Sequence, residues 1–230
     1  MSAKHSSGKV MPILSIVFFS VSLVLFAAKG IWSVIYRFVI GGGVSAAHVL
    51  LAESGKVAAF AFPAVFFIIF AALYLKRKQS SKGLFCVCMA AQAVSCLALS
   101  ARLVQVHRLL DWQNASRSIY PLAALFALVA VLCVIAAILE AKGKSRRAVM
   151  IVAAAAGLLI AVYMFSLNVF NFILGFSYYR NHLFLMSNAI LGALLYLVGI
   201  SFYYIAFIFA ALFKKHVTTE HEKVKVKIKA

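Results

Sequence analysis

The sequence predicts an all-α, polytopic membrane protein whose six transmembrane helices follow one another as three consecutive hairpins, with the N and C termini in the cytoplasm. Its 230 residues are 65% hydrophobic and only 12% charged, with a mean hydropathy of +1.03. A soluble domain is nearer about half apolar and a quarter charged. Two further observations support this class. Six long windows contain no charged residue and no histidine, and the Lys and Arg residues cluster between those windows.

The six windows are each long enough to be a membrane-spanning helix, because about 20 apolar residues cross about 30 Å of hydrocarbon. A single charge at the centre of a span costs about 2.5 to 3.5 kcal/mol on insertion scales. Backbone groups in lipid must be satisfied internally, and the strict alternation of a barrel strand is missing, so we expect helices. The windows are Val10–Ala28, Val57–Leu75, Gly83–Ala101, Ser118–Leu139, Ala148–Tyr179 and Leu183–Phe213.

The basic clusters alternate along the chain and predict its orientation. They are Lys4 with Lys9, Lys76–Lys82, Lys142–Arg147, and Lys214 with Lys215. By the positive-inside rule these clusters are cytoplasmic, and the connections after the first, third and fifth spans face outward. Residues 1–9 are then a cytoplasmic N-terminal segment, residues 10–215 the six-helix transmembrane domain, and residues 216–230 a basic cytoplasmic tail. We expect the bacterial cytoplasmic membrane as the location.

The first and third spans are predicted to continue beyond the bilayer on the outer side. Lys29, Ser33 and Arg37 follow the first span at helical spacing, and Gly41–Gly43 then breaks the helix. Residues Val44–Lys56 are expected to form a short interfacial helix that ends at Gly55. The third span is expected to continue beyond the membrane as an amphipathic helix. Its polar face carries Gln105, His107, Arg108 and Asp111.

Uncharged polar residues in the spans crowd toward the outer side, together with cations. An amide in hydrocarbon needs a partner, either another helix or a ligand. An outward-open cavity with excess positive charge would suit an anionic or amphipathic molecule. The competing interpretation is that these residues form interhelical hydrogen bonds and snorkelling cations. The candidate ligand-binding residues are Arg102, Gln105, Arg108, Asn168, Asn171, Arg180 and Asn188.

Catalytic and cofactor motifs are missing from the sequence. No window carries a carboxylate, so no acid–base pair is expected within the membrane, and no cofactor is predicted. One histidine falls in each outward segment. These three, His48, His107 and His182, could converge on a metal. The four cysteines lie in the third and fourth spans, where we expect small apolar packing residues and no disulfide.

The predicted partners follow from where the charge lies. The net charge of +18 is confined to short clusters, whereas a nucleic-acid binder spreads its basic residues over a solvated face, so nucleic acid is not expected. The lipid bilayer surrounds the spans, and the basic tail is expected to contact anionic lipid. Other membrane subunits are a further possible partner.

The sequence is consistent with three functions. The first is binding or transport of a small anionic or amphipathic molecule from the outer side, for which Asn168, Asn171 or Asn188 should face a cavity. The second is a non-catalytic accessory or assembly subunit, which should fill its interior and turn the Gly192/Gly199 side outward. The third is a membrane-embedded enzyme whose outer-face site combines His107, Asp111 and His182.

Overall fold

The computed structural model describes residues 7–40, 46–77, 81–110, 116–176 and 183–213, although the side chains of some of these residues are not described. Within these ranges the chain forms six long helices and no strand. They are α1 (Ser7–Ile40), α2 (Ala46–Arg77), α3 (Lys82–Leu110), α4 (Ser116–Ala141), α5 (Arg147–Leu174) and α6 (Leu183–Ala211). Each is long and apolar enough to cross a membrane. The predicted six-helix, all-α membrane class is confirmed, while the orientation of the termini stays a prediction.

The six helices form a ring whose order follows the chain. Each helix packs against its neighbours in sequence, and α6 packs against α1 to close the ring. We call the half of the bundle that contains the turn between α4 and α5 the inner half, and the opposite half the outer half. The sequence predicts that the inner half is the cytoplasmic one.

The α1–α6 contact is a seam with a seven-residue spacing on both helices. Ser15 donates its hydroxyl to the Ala206 carbonyl at 3.1 Å, and Ser22 donates to the Gly199 carbonyl at 2.8 Å. Seven residues are two turns of a packed helix, so the next positions along the seam are Lys29 and Gly192. Hydrogen bonds of this kind contribute about 0.6 to 2 kcal/mol each between helices in a membrane.

Aromatic side chains fill the inner half of the ring. Phe19 of α1 stacks on Phe67 of α2 with ring centroids 5.2 Å apart, and Tyr203 of α6 meets the Phe19 ring edge-on at 5.2 Å. Phe67 in turn meets Phe207 of α6. Such pairs are worth about 0.5 to 1.5 kcal/mol each beyond their burial. All four side chains are fully buried, so this aromatic core closes the centre of the bundle at that level.

The outer half is packed more loosely on three of the six helices. On α5 every described side chain that is buried lies between Met150 and Ala161, and none from Val162 onward is buried. On α3 no described side chain after Cys96 is buried. On α6 the buried residues described on the outer side of Gly199 are Gly192 and Ala193. Toward the outer end, the described side chains of these three helices are therefore less buried than in the inner half.

The turn between α4 and α5 is tight and closed by glycine. Gly143 has a φ of 72°, which side chains other than glycine rarely tolerate. Its N–H donates to the Glu140 carbonyl at 3.0 Å, and the Lys144 N–H donates to the Leu139 carbonyl at 2.8 Å. This pair of bonds is a Schellman motif, which satisfies the last carbonyls of α4.

One expectation about helix bounds is wrong. The predicted interfacial helix ending at Gly55 does not exist as a separate element, because α2 runs without a break from Ala46 through Gly55. A single glycine costs about 1 kcal/mol in a helix, which a long, packed helix tolerates. The fourth helix ends at Ala141 and so carries Glu140 in its last turn, just beyond the predicted window Ser118–Leu139.

Candidate functional site

The outer end of α3 carries two of the predicted ligand-binding residues. Arg102 is half-buried and reaches toward α2, where a Cβ added to Gly55 would stand 3.2 Å from its Nη1 atom. The absent side chain at Gly55 thus leaves room for the guanidinium. Gln105, about one turn farther out, is exposed. The side chain of Arg108 lies outside the described part of the structure.

Asn168 lies on α5 in the loosely packed outer half. Its side chain is exposed, and its Nδ2 atom donates to the Met164 carbonyl of the same helix at 2.7 Å. One amide N–H and the amide oxygen remain for other contacts. Arg102 and Asn168 stand on helices that are not neighbours in the ring, so the two predicted residues belong to different walls of the bundle.

A cleft between α5 and α6 opens beside Asn168. Its volume is about 180 Å³, and every other lining side chain is apolar. Val169, Ile190 and Leu194 in its wall are exposed. The cleft is lined by Phe165, Asn168, Val169, Phe172, Ala189, Ile190, Ala193 and Leu194. It therefore offers an apolar surface beside a single amide.

The other predicted site residues lie partly or wholly outside the described part of the structure. Asn171 and Asn188 belong to α5 and α6, but their side chains lie outside the described part of the structure, as does the whole of Arg180. The same holds for the metal candidates: the side chains of His48 and His107 and the whole of His182 are outside it. Among the described residues, no group of three or more His, Cys, Asp or Glu side chains could hold a metal ion.

Lys29 lies on α1, one turn before Ser33, and its side chain is half-buried. Its ammonium group donates to the Ser33 hydroxyl and sits 5.4 Å from the centroid of the Tyr196 ring. The sequence does hold a signal for this position, because Lys29 continues the seven-residue series of Ser15 and Ser22.

A buried ion pair at the inner end of the bundle was also missed. Arg146 Nη1 lies 2.5 Å from Glu140 Oε2, and the two side chains are only 6% and 1% exposed. The Arg146 guanidinium covers the Phe85 ring of α3 at 3.5 Å from its centroid. Burial lowers the pKa of Arg146, while the Glu140 carboxylate acts in the opposite direction. The signal in the sequence was a single acidic residue beside a basic cluster.

The most buried amide is structural. Gln92 of α3 is 1% exposed, accepts a hydrogen bond from the Tyr203 hydroxyl of α6, and donates to Cys96 Sγ at 3.2 Å. These bonds join helices on opposite sides of the ring inside the aromatic core. All four cysteines carry free thiols, three of them buried and Cys86 half-buried.

The ring contains two regions of different chemistry: an inner half filled by aromatic side chains, and an outer half that has an apolar cleft beside Asn168 and, on a different wall, the half-buried Arg102. The chain was compared with protein-family models, curated proteins and solved structures, and nothing matches it.

Proposed function

We propose that the protein binds or transports a small anionic or amphipathic molecule that it takes from the outer side of the bacterial cytoplasmic membrane. The observation that carries the proposal is the difference in packing between the two halves. The aromatic core closes the inner half, whereas no described side chain of α5 from Val162 outward is buried. A ligand can be accommodated only where helices leave room between them.

The charge of the outer half supports an anion as the ligand. The outward segments contain many more cations than carboxylates, whatever pairs they form among themselves. The carboxylates are Glu53 and Asp111. The cations are Lys29, Arg37, Lys56, Arg102, Arg108, Arg117 and Arg180. A surplus of positive charge around a cavity with low-dielectric walls concentrates anions there.

The cleft between α5 and α6 supports an amphipathic ligand in particular. Its apolar lining matches a hydrocarbon chain, and Asn168 supplies one polar group at its wall. A lateral opening lets a membrane-dissolved molecule enter without first crossing water.

The surface expected for an accessory subunit is not exposed in the structure. Gly192 and Gly199 are buried and face α1, since a Cβ at Gly192 would stand 3.0 Å from Lys29 Cε and one at Gly199 would stand 3.4 Å from Phe26. The expectation that this side faces outward is wrong. The enzyme alternative rests on His107, Asp111 and His182, whose side chains lie outside the described part.

Equilibrium binding tests the proposal directly. The protein is placed in nanodiscs of phosphatidylcholine and titrated with oleate, acetate and dodecyltrimethylammonium. The proposal predicts saturable binding of at least one of the two anions and much weaker binding of the cationic amphiphile. Saturable binding of neither anion, or equal binding of the cationic amphiphile, would contradict it.

A further inference from the structure

Exposed cations surround the turn between α4 and α5. Two lie in the turn itself, one is the first residue of α5, and one is the first residue of α3. The start of α3 belongs to the same end of the bundle, because the Arg146 guanidinium covers the ring of Phe85 in the first turn of α3. All four cationic side chains are exposed. We call these residues the basic patch, and they are Lys142, Lys144, Arg147 and Lys82, in that order.

The acidic residues at this end are too few to neutralise the basic patch. Among the side chains that the structure describes, Glu140 is the only carboxylate, and it is 1% exposed and paired with Arg146. The first turns of α3 and α5, which begin at this end, contain no acidic residue. The sequence adds Glu220 and Glu222 in the tail after α6, but this tail has more lysines than carboxylates. A surplus of positive charge therefore remains, whatever pairs the tail forms.

The backbone of the turn is held in place at both ends. The Lys142 N–H donates to the Ile138 carbonyl at 3.0 Å, so the last helical turn of α4 continues through Lys142. The Met150 N–H donates to the Arg146 carbonyl at 3.1 Å and begins α5. Between these bonds the Schellman motif at Gly143 closes the turn. Binding of a ligand here orders side chains alone, and a preorganised backbone lowers the entropic cost of binding.

On each side of the turn a cation stands one helical turn from an exposed apolar residue. Ile138, four residues before Lys142, is 48% exposed, and Ile151, four residues after Arg147, is 42% exposed. Residues four apart lie on the same face of a helix, about 5.4 Å apart along its axis. A phospholipid has the same order of groups, with a charged headgroup followed by hydrocarbon chains. Free inorganic phosphate would use the cations and leave the isoleucines without a partner.

We propose that the basic patch binds the headgroup of an anionic phospholipid, whose acyl chains run along Ile138 and Ile151. Lysine binds a phosphate as a point charge and arginine binds it through two parallel N–H bonds, so the patch supplies both kinds of contact. A basic cluster beside a transmembrane helix attracts anionic lipid. The inference goes beyond the proposed function, because it concerns the opposite end of the bundle and a partner that stays in the bilayer.

The test measures lipid binding to the full-length protein in a neutral detergent by native mass spectrometry. The probes are dioleoyl phosphatidylglycerol, dioleoyl phosphatidylcholine and inorganic phosphate. The two lipids have the same chains and differ in net charge. Detergent solution also removes the direction of membrane insertion as a variable. The turn variant combines Lys142→Gln, Lys144→Gln and Arg147→Gln, and the tail variant, which removes the same charge elsewhere, combines Lys225→Gln, Lys227→Gln and Lys229→Gln.

We expect the wild-type protein to bind phosphatidylglycerol saturably and about tenfold or more tighter than phosphatidylcholine. Each lost cation weakens binding of an anionic lipid by about fivefold, so the turn variant should lose at least about tenfold in affinity for phosphatidylglycerol. Its affinity for phosphatidylcholine should not change, and the tail variant should bind both lipids as the wild-type protein does. If the turn variant does not fold, Lys142→Gln combined with Lys144→Gln should give a smaller loss that is again confined to phosphatidylglycerol.

Three results would overturn the inference. Equal affinity of the wild-type protein for the two lipids would mean that the basic patch does not select an anionic headgroup. A turn variant that keeps the wild-type preference, or a tail variant that loses it equally, would place the lipid elsewhere on the protein. Inorganic phosphate that displaces phosphatidylglycerol at equal concentration would mean that the site binds free phosphate rather than a lipid.

Discussion

Gly157 is a residue at which α5 comes very close to a side chain of α6. A Cβ added there would overlap the ring of Tyr204, which is fully buried. The absence of a side chain at Gly157 is therefore a condition for the buried tyrosine pair of α6, in which Tyr203 and Tyr204 meet edge to face at 5.3 Å.

Replacing Gly157 by alanine should destabilise the protein even though alanine is the better helix former. Overpacking of a filled core costs about 1 to 3 kcal/mol, which exceeds the gain in helix propensity of about 1 kcal/mol. The measurement is thermal unfolding in detergent, followed with a thiol-reactive dye that reports the exposure of the buried cysteines.

Gly83→Ala is the matched control for this substitution. Gly83 also lies in a helix, but nothing stands within 4 Å of an added Cβ. Its melting temperature should stay the same or rise slightly. Equal melting temperatures for the two variants would contradict the close approach of α5 to α6.

The buried pair of Glu140 and Arg146 is the second residue-scale feature that can be tested. Glu140→Gln leaves the Arg146 guanidinium buried without its counter-charge. Breaking such a pair from one side costs about 3 to 5 kcal/mol. We expect a large fall in melting temperature for Glu140→Gln and almost none for Lys144→Gln, whose side chain is exposed.

A double-mutant cycle separates the pair from other effects of burial. Glu140→Gln combined with Arg146→Gln removes both charges, so the double variant should be less destabilised than the sum of the single variants. Additive losses would mean that the two charges do not interact, which the 2.5 Å contact contradicts.

At the scale of elements, the α1–α6 seam closes the ring. Gly199→Leu places a branched side chain where a Cβ alone would already stand 3.4 Å from Phe26. The helices must then separate, and the Ser22 hydrogen bond to the Gly199 carbonyl lengthens or breaks. We expect a loss of about 1 to 3 kcal/mol in the free energy of unfolding, measured by denaturation in mixed micelles.

The neighbouring residue provides the control for the seam. Val198→Leu adds a methylene on a side chain that is 36% exposed on the lipid-facing side of α6. Its stability should match that of the wild-type protein, because lipid accommodates the added volume. If Val198→Leu and Gly199→Leu were equally destabilised, the seam would not be a tight contact.

The sequence predicted well where the helices lie along the chain, but not which faces of the helices pack together. The spans could be recognised because a charge in hydrocarbon is costly, and that cost depends on composition alone. Which face of α1 meets α6 depends instead on how side chains fit together. The placement of Lys29, two turns beyond Ser22 in the seam, could be recognised only once the partner residues Gly199 and Gly192 were in view.

For the same reason, the sequence could name candidate residues but not their surroundings. Asn168 was named from its chemistry, and the structure places it beside the α5–α6 cleft. Gly55 was interpreted as a helix end because its lack of a side chain is a local signal. Its contact with Arg102 is a tertiary one, which no single segment of sequence contains.

At the scale of the whole molecule, the two halves of the bundle are packed differently, so its two ends are not equivalent. The inner half is held by the aromatic core and by the Arg146 guanidinium over Phe85. The outer half has the cleft and the half-buried cations. The proposed function therefore requires the loosely packed half to face away from the cytoplasm, where the ligand would enter.

Labelling of single introduced cysteines in intact bacteria measures this orientation most directly. Cysteine is placed at Ser81 or Ser145, both exposed at the inner end, and at Asn114 in the connection between α3 and α4. The unsubstituted protein controls for its own four thiols, none of which is fully exposed. A membrane-impermeant maleimide should label the Asn114 variant in intact cells, and the Ser81 and Ser145 variants only after permeabilisation. Labelling of the Ser81 or Ser145 variant in intact cells, with the Asn114 variant protected, would contradict the account.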